Sequence, residues 1–324
     1  MEVVSFRRSV IYLIFKSILF SSKILLTFLP TFLSLIIILA WDFLEKLPFI
    51  LSSLFALSIK FSSIMVILLG VLLFAFIFLP IYYIVTMSIK SQAHVLSGEF
   101  SLFFFDVSFD AWKETLTSES IWNGLWGSMK TASISTVIAV IIGTLAAYGF
   151  SRYTFKRDDD LLFFILTQRM LPPIAIFLPY TLIWRSLDMV GEWYNLIVPY
   201  VLISIPITVW LMHAYIDNIP IEYEESAVVE GCSQFEAFWR IVLPNALPGL
   251  IMTAMFNFAL LWNEIFFALF FRNRTLPVEV SAGLQYAEIT PWPSLSAQGV
   301  FLMVIPATFA FYLQKRIREL PITF

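Results

Sequence analysis

Five glutamates gather in one stretch of this sequence, residues 218–248, which we call the acidic segment. They are Glu222, Glu224, Glu225, Glu230 and Glu236, and long apolar runs flank them on both sides. Carboxylates accept charge-assisted hydrogen bonds from a partner's arginine or from its backbone N–H groups. A link between two apolar runs does not need so ordered a set of charges, so we expect another molecule to dock here. The alternative is a well-capped connector without a partner.

Catalytic chemistry has little support in the rest of the sequence. No G-x-x-x-x-G-K-[ST] phosphate loop occurs, so the chain is not expected to hydrolyse ATP itself. No Ser/His/Asp arrangement or paired carboxylate indicates a catalytic residue. Cys232 is the one cysteine, which excludes an internal disulfide, and His94 and His213 lie far apart. The sequence therefore predicts no catalytic residue and no metal ligand.

Composition places the chain in a membrane. It is 60% hydrophobic and 13% charged, whereas soluble domains are about 45–50% apolar and about 25% charged. Apolar runs near the ~20 residues that cross a bilayer recur along the whole length. Such runs must be helical, because lipid offers no partner to backbone polar groups. We predict an all-α polytopic membrane protein rather than a barrel, whose strands would alternate over roughly 10 residues.

Six core spans are expected, and the basic residues set their orientation. The predicted spans are 61–88, 124–150, 160–183, 195–216, 247–270 and 297–318. Two basic groups, Arg152 to Arg157 and Lys315 to Arg318, fall on one side of the six spans and are assigned to the cytosol. By the same alternation the acidic segment is cytosolic, and the loops at 89–123 and 271–296 face outward.

The first 60 residues form a hydrophobic extension before the core, which occupies 61–318 and is followed by a short tail, 319–324. No small-residue cleavage site follows the early basic residues, so the extension is expected to be retained. Residues 24–41 are apolar enough to span, but a single extra span would place Arg7 and Arg8 outside, against the charge rule. A hairpin or an interfacial helix are the other possibilities, and the sequence leaves this topology open.

Local signals predict two helices and a turn within the acidic segment. Asn218 is expected to cap the first helix, with Pro220 in its first turn, where the missing N–H had no partner. Gly231 suits the left-handed residue that ends a helix. Ser233 and Glu236 then form a capping box that starts the second helix, which leads to Pro244.

Seven residues of the acidic segment resemble the EAA-type loop of permease subunits in ABC importers: Glu225, Ser226, Ala227, Gly231, Ile241, Leu243 and Pro244. Further similar stretches lie at 123–124, 146–155, 170–173, 178–180, 199–210, 262–264 and 283–285. The resemblance covers roughly residues 61–315 and is closest to carbohydrate-uptake permeases of the maltose-transporter type, specifically the smaller permease partner. Ser226 replaces an alanine, and the glycine-rich tail common in the family is missing.

The resemblance implies a fold, partners and roles. The fold would be the six-helix core of a type I importer in the cytoplasmic membrane, with an extra N-terminal helical segment. The partners would be a second permease in a heterodimer, two ATP-binding subunits and an extracellular solute-binding protein, with no nucleic acid. ATP and Mg would sit on the ATP-binding subunits and no cofactor on this chain. Residues 217–245 would be the coupling loop, with Glu225 as polar anchor, Ala227 and Gly231 allowing close approach, and Pro244 fixing the turn. For Glu225 the alternative is a solvated charge at a helix end.

Polar residues inside membrane segments are costly and often functional, so they are candidates for a solute path. The candidates are Asn257, Asn263, Glu264 and Tyr148, with Gln168, Arg169 and Tyr180 as further possibilities. Asn257 and Glu264 are seven positions apart and would share a helical face. The alternatives are packing between helices for Asn257 and an interfacial position for Asn263 and Glu264.

Two aromatic residues of the outer loop, Tyr286 and Trp292, are candidates for contact with the solute-binding protein or are simple membrane anchors. The expected function is import of a mono-, di- or oligosaccharide driven by the partner ATPases. The same architecture could import a polyol, a glycerol phosphodiester or another non-sugar solute. An ion-gradient secondary transporter is the rival class, but it predicts internal repeats that we do not find.

Overall fold

The computed structural model describes residues 63–98, 101, 104–154, 156–285 and 290–319. The chain divides into two compact units, Met1–Tyr82 and Tyr83–Phe324. The predicted N-terminal extension, Tyr286 and the tail beyond Glu319 lie outside the described residues. No regular strand occurs in the described ranges, which contain one isolated bridge between Lys90 and Val107.

Fourteen α-helices account for most of the described chain. In chain order they are α1 Ser63–Met87, α2 Gln92–Leu96, α3 Asp110–Thr117, α4 Glu119–Arg152, α5 Asp158–Thr167, α6 Pro173–Ser186, α7 Ile197–Asp217, α8 Glu222–Val229, α9 Gln234–Ala237, α10 Leu243–Asn245, α11 Leu247–Trp262, α12 Phe266–Phe270, α13 Leu276–Gln285 and α14 Trp292–Glu319. Short 3₁₀ turns precede α6 and α7, at Gln168–Met170 and Trp193–Leu196, and a π-helical turn joins α9 to α10 at Phe238–Val242.

The prediction of an all-α protein with several membrane spans is confirmed. Four described helices are long and apolar enough to cross a bilayer: Ile67–Met87, Glu119–Arg152, Trp193–Asp217 and Trp292–Lys315. Two bent helix pairs raise the number to six if each pair counts as one span. The second span is longer than predicted, because α4 runs through 34 residues before Tyr153 turns extended.

Two predicted spans are not straight helices. The segment predicted at 160–183 bends by 80° between Met170 and Pro173. Consecutive prolines cause the break, because Pro172 and Pro173 lack N–H groups and the residue before a proline avoids helical geometry. The segment predicted at 247–270 ends as a helix at Trp262 and resumes only in the short α12.

Small side chains bring α4 and α7 together. Ala132, Ala139 and Ala147 are fully buried along α4. A Cβ atom built on Gly143 would lie 2.5 Å from Cγ2 of Thr208 on α7, so the two helices meet at backbone distance. Association of helices in lipid depends on such close packing, since lipid tails are as apolar as the side chains themselves. The acidic segment packs on the ends of this helix pair.

Candidate functional site

The acidic segment folds into the predicted helix–turn–helix. Helix α8 ends at Val229, and Gly231 follows with φ of +98°, a backbone conformation that favours glycine. The N–H of Cys232 donates to the carbonyl of Ala227 at 3.0 Å, and that of Gly231 donates to Val228 at 3.0 Å. These bonds satisfy the last carbonyls of α8 and turn the chain towards α9.

The predicted capping box at the start of α9 is confirmed. The N–H of Ser233 donates to Oε2 of Glu236 at 2.9 Å, and the N–H of Glu236 donates to the Ser233 hydroxyl at 3.3 Å. The Ser233 backbone N–H, followed by its hydroxyl and by Arg240, lowers the pKa of the exposed Glu236 carboxyl. Glu236 therefore stays ionised at neutral pH and holds the start of α9.

A Ser233→Ala variant should lose about 1 kcal/mol of local stability, because the N–H of Glu236 loses its acceptor. Hydrogen exchange at the amides of residues 234–237 would measure the loss as faster exchange. Ser97→Ala is the control, since the Ser97 hydroxyl donates to the His94 carbonyl in another part of the chain. Unchanged exchange in Ser233→Ala would contradict a stabilising role for the box.

The prediction that Asn218 caps the first helix of the acidic segment is wrong. Helix α8 begins at Glu222, after Ile221, and no side chain caps it. Asn218 instead ends α7, where its Nδ2 donates to the carbonyl of Ala214 at 2.6 Å. Pro220 accordingly lies before the helix rather than in its first turn. The end of α7 competes for the same asparagine that the sequence assigns to the following helix.

The second helix of the acidic segment is not a single regular α-helix. It widens into the π-helical turn Phe238–Val242 and continues through α10 into α11, with a bend of 72° between Gln234–Asn245 and Leu247–Trp262. Pro244 cannot donate to the carbonyl four residues earlier, and Pro248 lies in the first turn of α11. The two prolines thereby mark the passage from the acidic segment into the next apolar helix.

A small apolar cluster seats the acidic segment on the ends of α4 and α7. Phe238 and Val242 of the π-helical turn are buried with Ala246, Met212 and Ile216. The Tyr148 ring of α4 packs against Phe238 with ring centroids 4.7 Å apart. The apolar side of the second helix therefore faces the protein.

Glu224 is the buried glutamate of α8, and Glu225 is exposed. The Glu224 carboxylate accepts from Arg152 Nε at 2.5 Å and from the Tyr148 hydroxyl at 2.9 Å. Glu225 lies on the exposed surface of α8. The sequence could not separate the two glutamates, because a helix turns by only about 100° between neighbours and both follow the same apolar run.

The other residues predicted for docking divide between surface and interior. Ser226, Gly231 and Pro244 are exposed, Ile241 and Leu243 are half-buried, and Ala227 is buried. The surface of the segment also carries large apolar side chains that were not among the predicted docking residues. They are Ile221, Tyr223, Val228, Val229, Phe235 and Trp239. Such a group on a polar segment is typical of a protein-docking surface.

The predicted solute-path residues make separate local contacts. Tyr148 lies at the acidic segment, where its hydroxyl donates to Glu224, and its role in a solute path stays a prediction. Asn257 is fully buried and donates from Nδ2 to Thr208 Oγ1 at 2.7 Å, which is the helix-packing alternative. Glu264 lies beyond the end of α11 and accepts from the N–H of Phe267 at 3.1 Å. The prediction that Asn257 and Glu264 share a helical face is therefore wrong.

The remaining candidates are scattered. Asn263 is exposed and donates to the carbonyl of Ala259. Arg169 donates to the carbonyl of Ile203, and Gln168 donates to that of Phe164. Tyr180 packs against Trp184 with ring centroids 5.5 Å apart. Trp292 is half-exposed at the start of α14, and Tyr286 lies outside the described residues.

The family is established by sequence comparison. Residues 115–319 match the family described as binding-protein-dependent transport system inner membrane component, and this chain belongs to that family. The resemblance to ABC importer permeases that the acidic segment indicates is thereby confirmed.

Characterised relatives match most of the chain. The sulfoquinovosyl glycerol transport system permease protein SmoH of Agrobacterium fabrum is 27% identical over 74% of this chain and 85% of its own length. The trehalose transport system permease protein SugB of Mycobacterium tuberculosis is 28% identical over 77% and 92%. The trehalose/maltose transport system permease protein MalG of Thermococcus litoralis is 32% identical over 60% and 71%.

A solved structure shares the fold. A chain of a bacterial ABC transporter involved in the import of the acidic polysaccharide alginate aligns with a TM-score of 0.63 and 21% identity. The alignment covers 80% of this chain and 99% of that chain. The arrangement of helices is therefore that of a permease in this class of importer.

Proposed function

We propose that this chain is the membrane-spanning permease subunit of an ATP-driven importer that carries a carbohydrate across the cytoplasmic membrane. The observation that carries the proposal is the acidic segment. Its two short helices, joined by the turn at Gly231, pack on α4 and α7 and leave charged and large apolar side chains at the surface. Membership of the binding-protein-dependent family supports it. In this assignment the acidic segment is cytosolic and contacts the subunits that hydrolyse ATP.

The partners follow from the same assignment. Two ATP-binding subunits would dock on the acidic segments of this chain and of a second permease, and an extracellular solute-binding protein would deliver the solute. ATP-driven closure of the ATPase pair would move the segment and switch the helices between two discrete packings. ATP and Mg would be bound by the partner subunits.

The carbohydrate assignment draws support from the relatives. Proteins similar to this chain are named for sulfoquinovosyl glycerol, trehalose, trehalose and maltose, and diacetylchitobiose. These solutes share a pyranose ring with several hydroxyl groups. We therefore expect a glycoside as the solute.

Uptake into proteoliposomes tests the proposal. The complete complex would be reconstituted with its solute-binding protein and supplied with radiolabelled trehalose, maltose or diacetylchitobiose. We expect uptake of at least one glycoside that requires ATP and resists a protonophore. Uptake that persists without ATP and stops with the protonophore would instead indicate a secondary transporter.

A Glu225→Lys variant should lower ATP-driven uptake by about tenfold or more, because a hydrogen bond to a charged group contributes ~1.5–3 kcal/mol. Glu225 is exposed on α8, so its reversal should leave the fold intact and weaken docking. Co-purification of the ATP-binding subunits with the permease would measure that loss directly.

Glu222→Lys is the matched control, since Glu222 is also exposed on α8 and carries the same charge. We expect it to retain most of the uptake. Equal losses in the two variants would mean that the net charge of α8 matters and that Glu225 makes no specific contact.

A further inference from the structure

Helix α8 is held to the rest of the protein through a narrow face. Glu224 and Ala227 are its two buried residues, and they lie three positions apart on one side of the helix. Ala227 offers a single methyl group for packing. The side-chain attachment of α8 to the rest of the protein therefore depends mainly on the Glu224 carboxylate.

Both oxygens of that carboxylate are bound by α4. Oε1 accepts from Arg152 Nε at 2.5 Å, and Oε2 accepts from the Tyr148 hydroxyl at 2.9 Å. Tyr148 and Arg152 are four positions apart in the last turns of α4 and so share one helical face. The side chains of Arg152 and Glu224 are 8% and 9% exposed, so water competes little with this ion pair.

The Arg152 guanidinium also reaches the end of α7. Its Nη2 donates to the carbonyls of Ile216 at 3.1 Å and Ile219 at 2.9 Å, and its Nη1 donates to the Ser151 hydroxyl. Ile216 lies in the last turn of α7, where the helix dipole favours a positive charge. A planar fork of donors can serve these acceptors together, whereas a lysine ammonium would serve fewer of them.

The course of the chain gives this contact its importance. Helix α8 follows α7 directly and leads through α9 and α10 to α11, so the backbone ties the acidic segment to α7 and α11. Helix α4 meets the segment through side chains alone. Besides the Glu224 contacts, these include the packing of Tyr148 on Phe238 and an exposed hydrogen bond from the Tyr153 hydroxyl to Gln234.

We infer that Glu224 is a positioning residue that clamps α8 to α4 through Arg152 and Tyr148, so that α4 moves together with the acidic segment. The inference rests on the proposed function, in which ATP-binding subunits move that segment. It gives neighbouring glutamates different roles: Glu225 faces the ATP-binding subunit, and Glu224 joins α8 directly to α4, which is otherwise coupled to the segment through its packing on α7.

Spin labels on the two elements test the clamp in the assembled complex. Cys232, the one cysteine, would be replaced by serine, and labels would be placed on Glu222→Cys of α8 and Val137→Cys of α4, two exposed positions. Val137 lies about 22 Å along the helix from Arg152. Distances would be recorded without nucleotide and with ATP, Mg²⁺ and vanadate, so the readout needs no knowledge of the transported solute.

With Glu224 present, we expect one narrow distance distribution that nucleotide does not shift, because α8 and α4 move as one body. In Glu224→Gln or Arg152→Gln, the distance distribution without nucleotide should match that of the chain with both residues present. It should shift when nucleotide is added. The double variant should shift no further than either single one, since both remove the same pair. Arg152→Lys should give an intermediate shift. A purely structural role for the pair would alter the distance before nucleotide is added.

Asp160→Asn is the control, because it removes a carboxylate from the Arg157–Asp160 pair, whose side chains are 83% and 75% exposed. It should leave the distances unchanged. A Glu224→Gln complex whose distances ignore nucleotide would overturn the clamp, and so would a double variant that shifts further than either single one.

A variant that retains more of the local packing keeps the clamp testable if Glu224→Gln prevents assembly of the complex. If Glu224→Gln gives no complex, Tyr148→Phe combined with Arg152→Lys carries the test, since the ring on Phe238 and the positive charge remain. Nucleotide-insensitive distances in that variant would overturn the clamp. Failure of the unsubstituted chain to assemble with ATP-binding subunits would instead contradict the proposed function.

Discussion

A Gly231→Pro variant should lose ATP-driven uptake almost completely while still inserting in the membrane. Gly231 has φ of +98°, and proline fixes φ near −65°, so the turn between α8 and α9 cannot form. Proline also removes the N–H that donates to Val228, and it disfavours the near-helical backbone of Glu230. The membrane helices contain none of these residues. We therefore expect normal amounts of permease and uptake at background.

Graded substitutions at the same position make this test specific. Alanine at φ of +98° carries a strain of about 1–2 kcal/mol, and asparagine tolerates the left-handed region better. Uptake should therefore fall in the order glycine, asparagine, alanine, proline. A Cβ atom at Gly231 would meet no atom within 4 Å, so crowding cannot explain that order. Wild-type uptake in Gly231→Pro would show that the turn has no part in coupling.

Gly127→Ala should destabilise the permease by about 3 kcal/mol, because overpacking a close contact typically costs 1–3 kcal/mol or more. A Cβ atom on Gly127 of α4 would overlap the backbone oxygen of Arg274. A backbone carbonyl cannot rotate away as a side chain does. Relief of the overlap would also strain the neighbouring bond from the N–H of Leu276 to the Ser128 hydroxyl, which is 2.8 Å long and buried.

Gly149→Ala on the same helix is the matched control. A Cβ atom there would meet no atom within 4 Å. Alanine favours a helix over glycine by up to about 1 kcal/mol, so this variant should be unchanged or slightly more stable. Unfolding of the detergent-purified permease compares the two. Equal unfolding midpoints for Gly127→Ala and the unsubstituted protein would mean that the contact with Arg274 is not maintained.

The sequence predicts best those features that are determined locally. The capping box at Ser233 and the turn at Gly231 depend on residues within four positions of each other, and both form as predicted. The apolar runs are long enough to identify helices, because lipid leaves the backbone few other choices. The break at Pro172 and Pro173 was readable in principle, since prolines without N–H groups rarely lie inside a straight span.

The contacts that the sequence does not predict join residues that are distant along the chain. Glu224 and Tyr148 are 76 positions apart, and no local pattern shows that the hydroxyl of one meets the carboxylate of the other. One signal was available: Tyr148 and Arg152 share a face at the end of a span, and a buried arginine requires an acidic partner. The prediction for Asn218 is wrong for a local reason. Both the end of α7 and the start of α8 lie within its reach, and local rules do not say which of them it caps.

The bend between α5 and α6 has a consequence for how the chain is made. Helix α5 has 10 residues and α6 has 14, so at ~1.5 Å per residue neither reaches across ~30 Å of hydrocarbon alone. The backbone groups freed at the bend need protein rather than lipid around them. Arg169, at the bend, donates to the carbonyl of Ile203 on α7, which is synthesised later. The bent segment therefore depends on α7, which follows it in the chain, and we expect the two to insert stably only together.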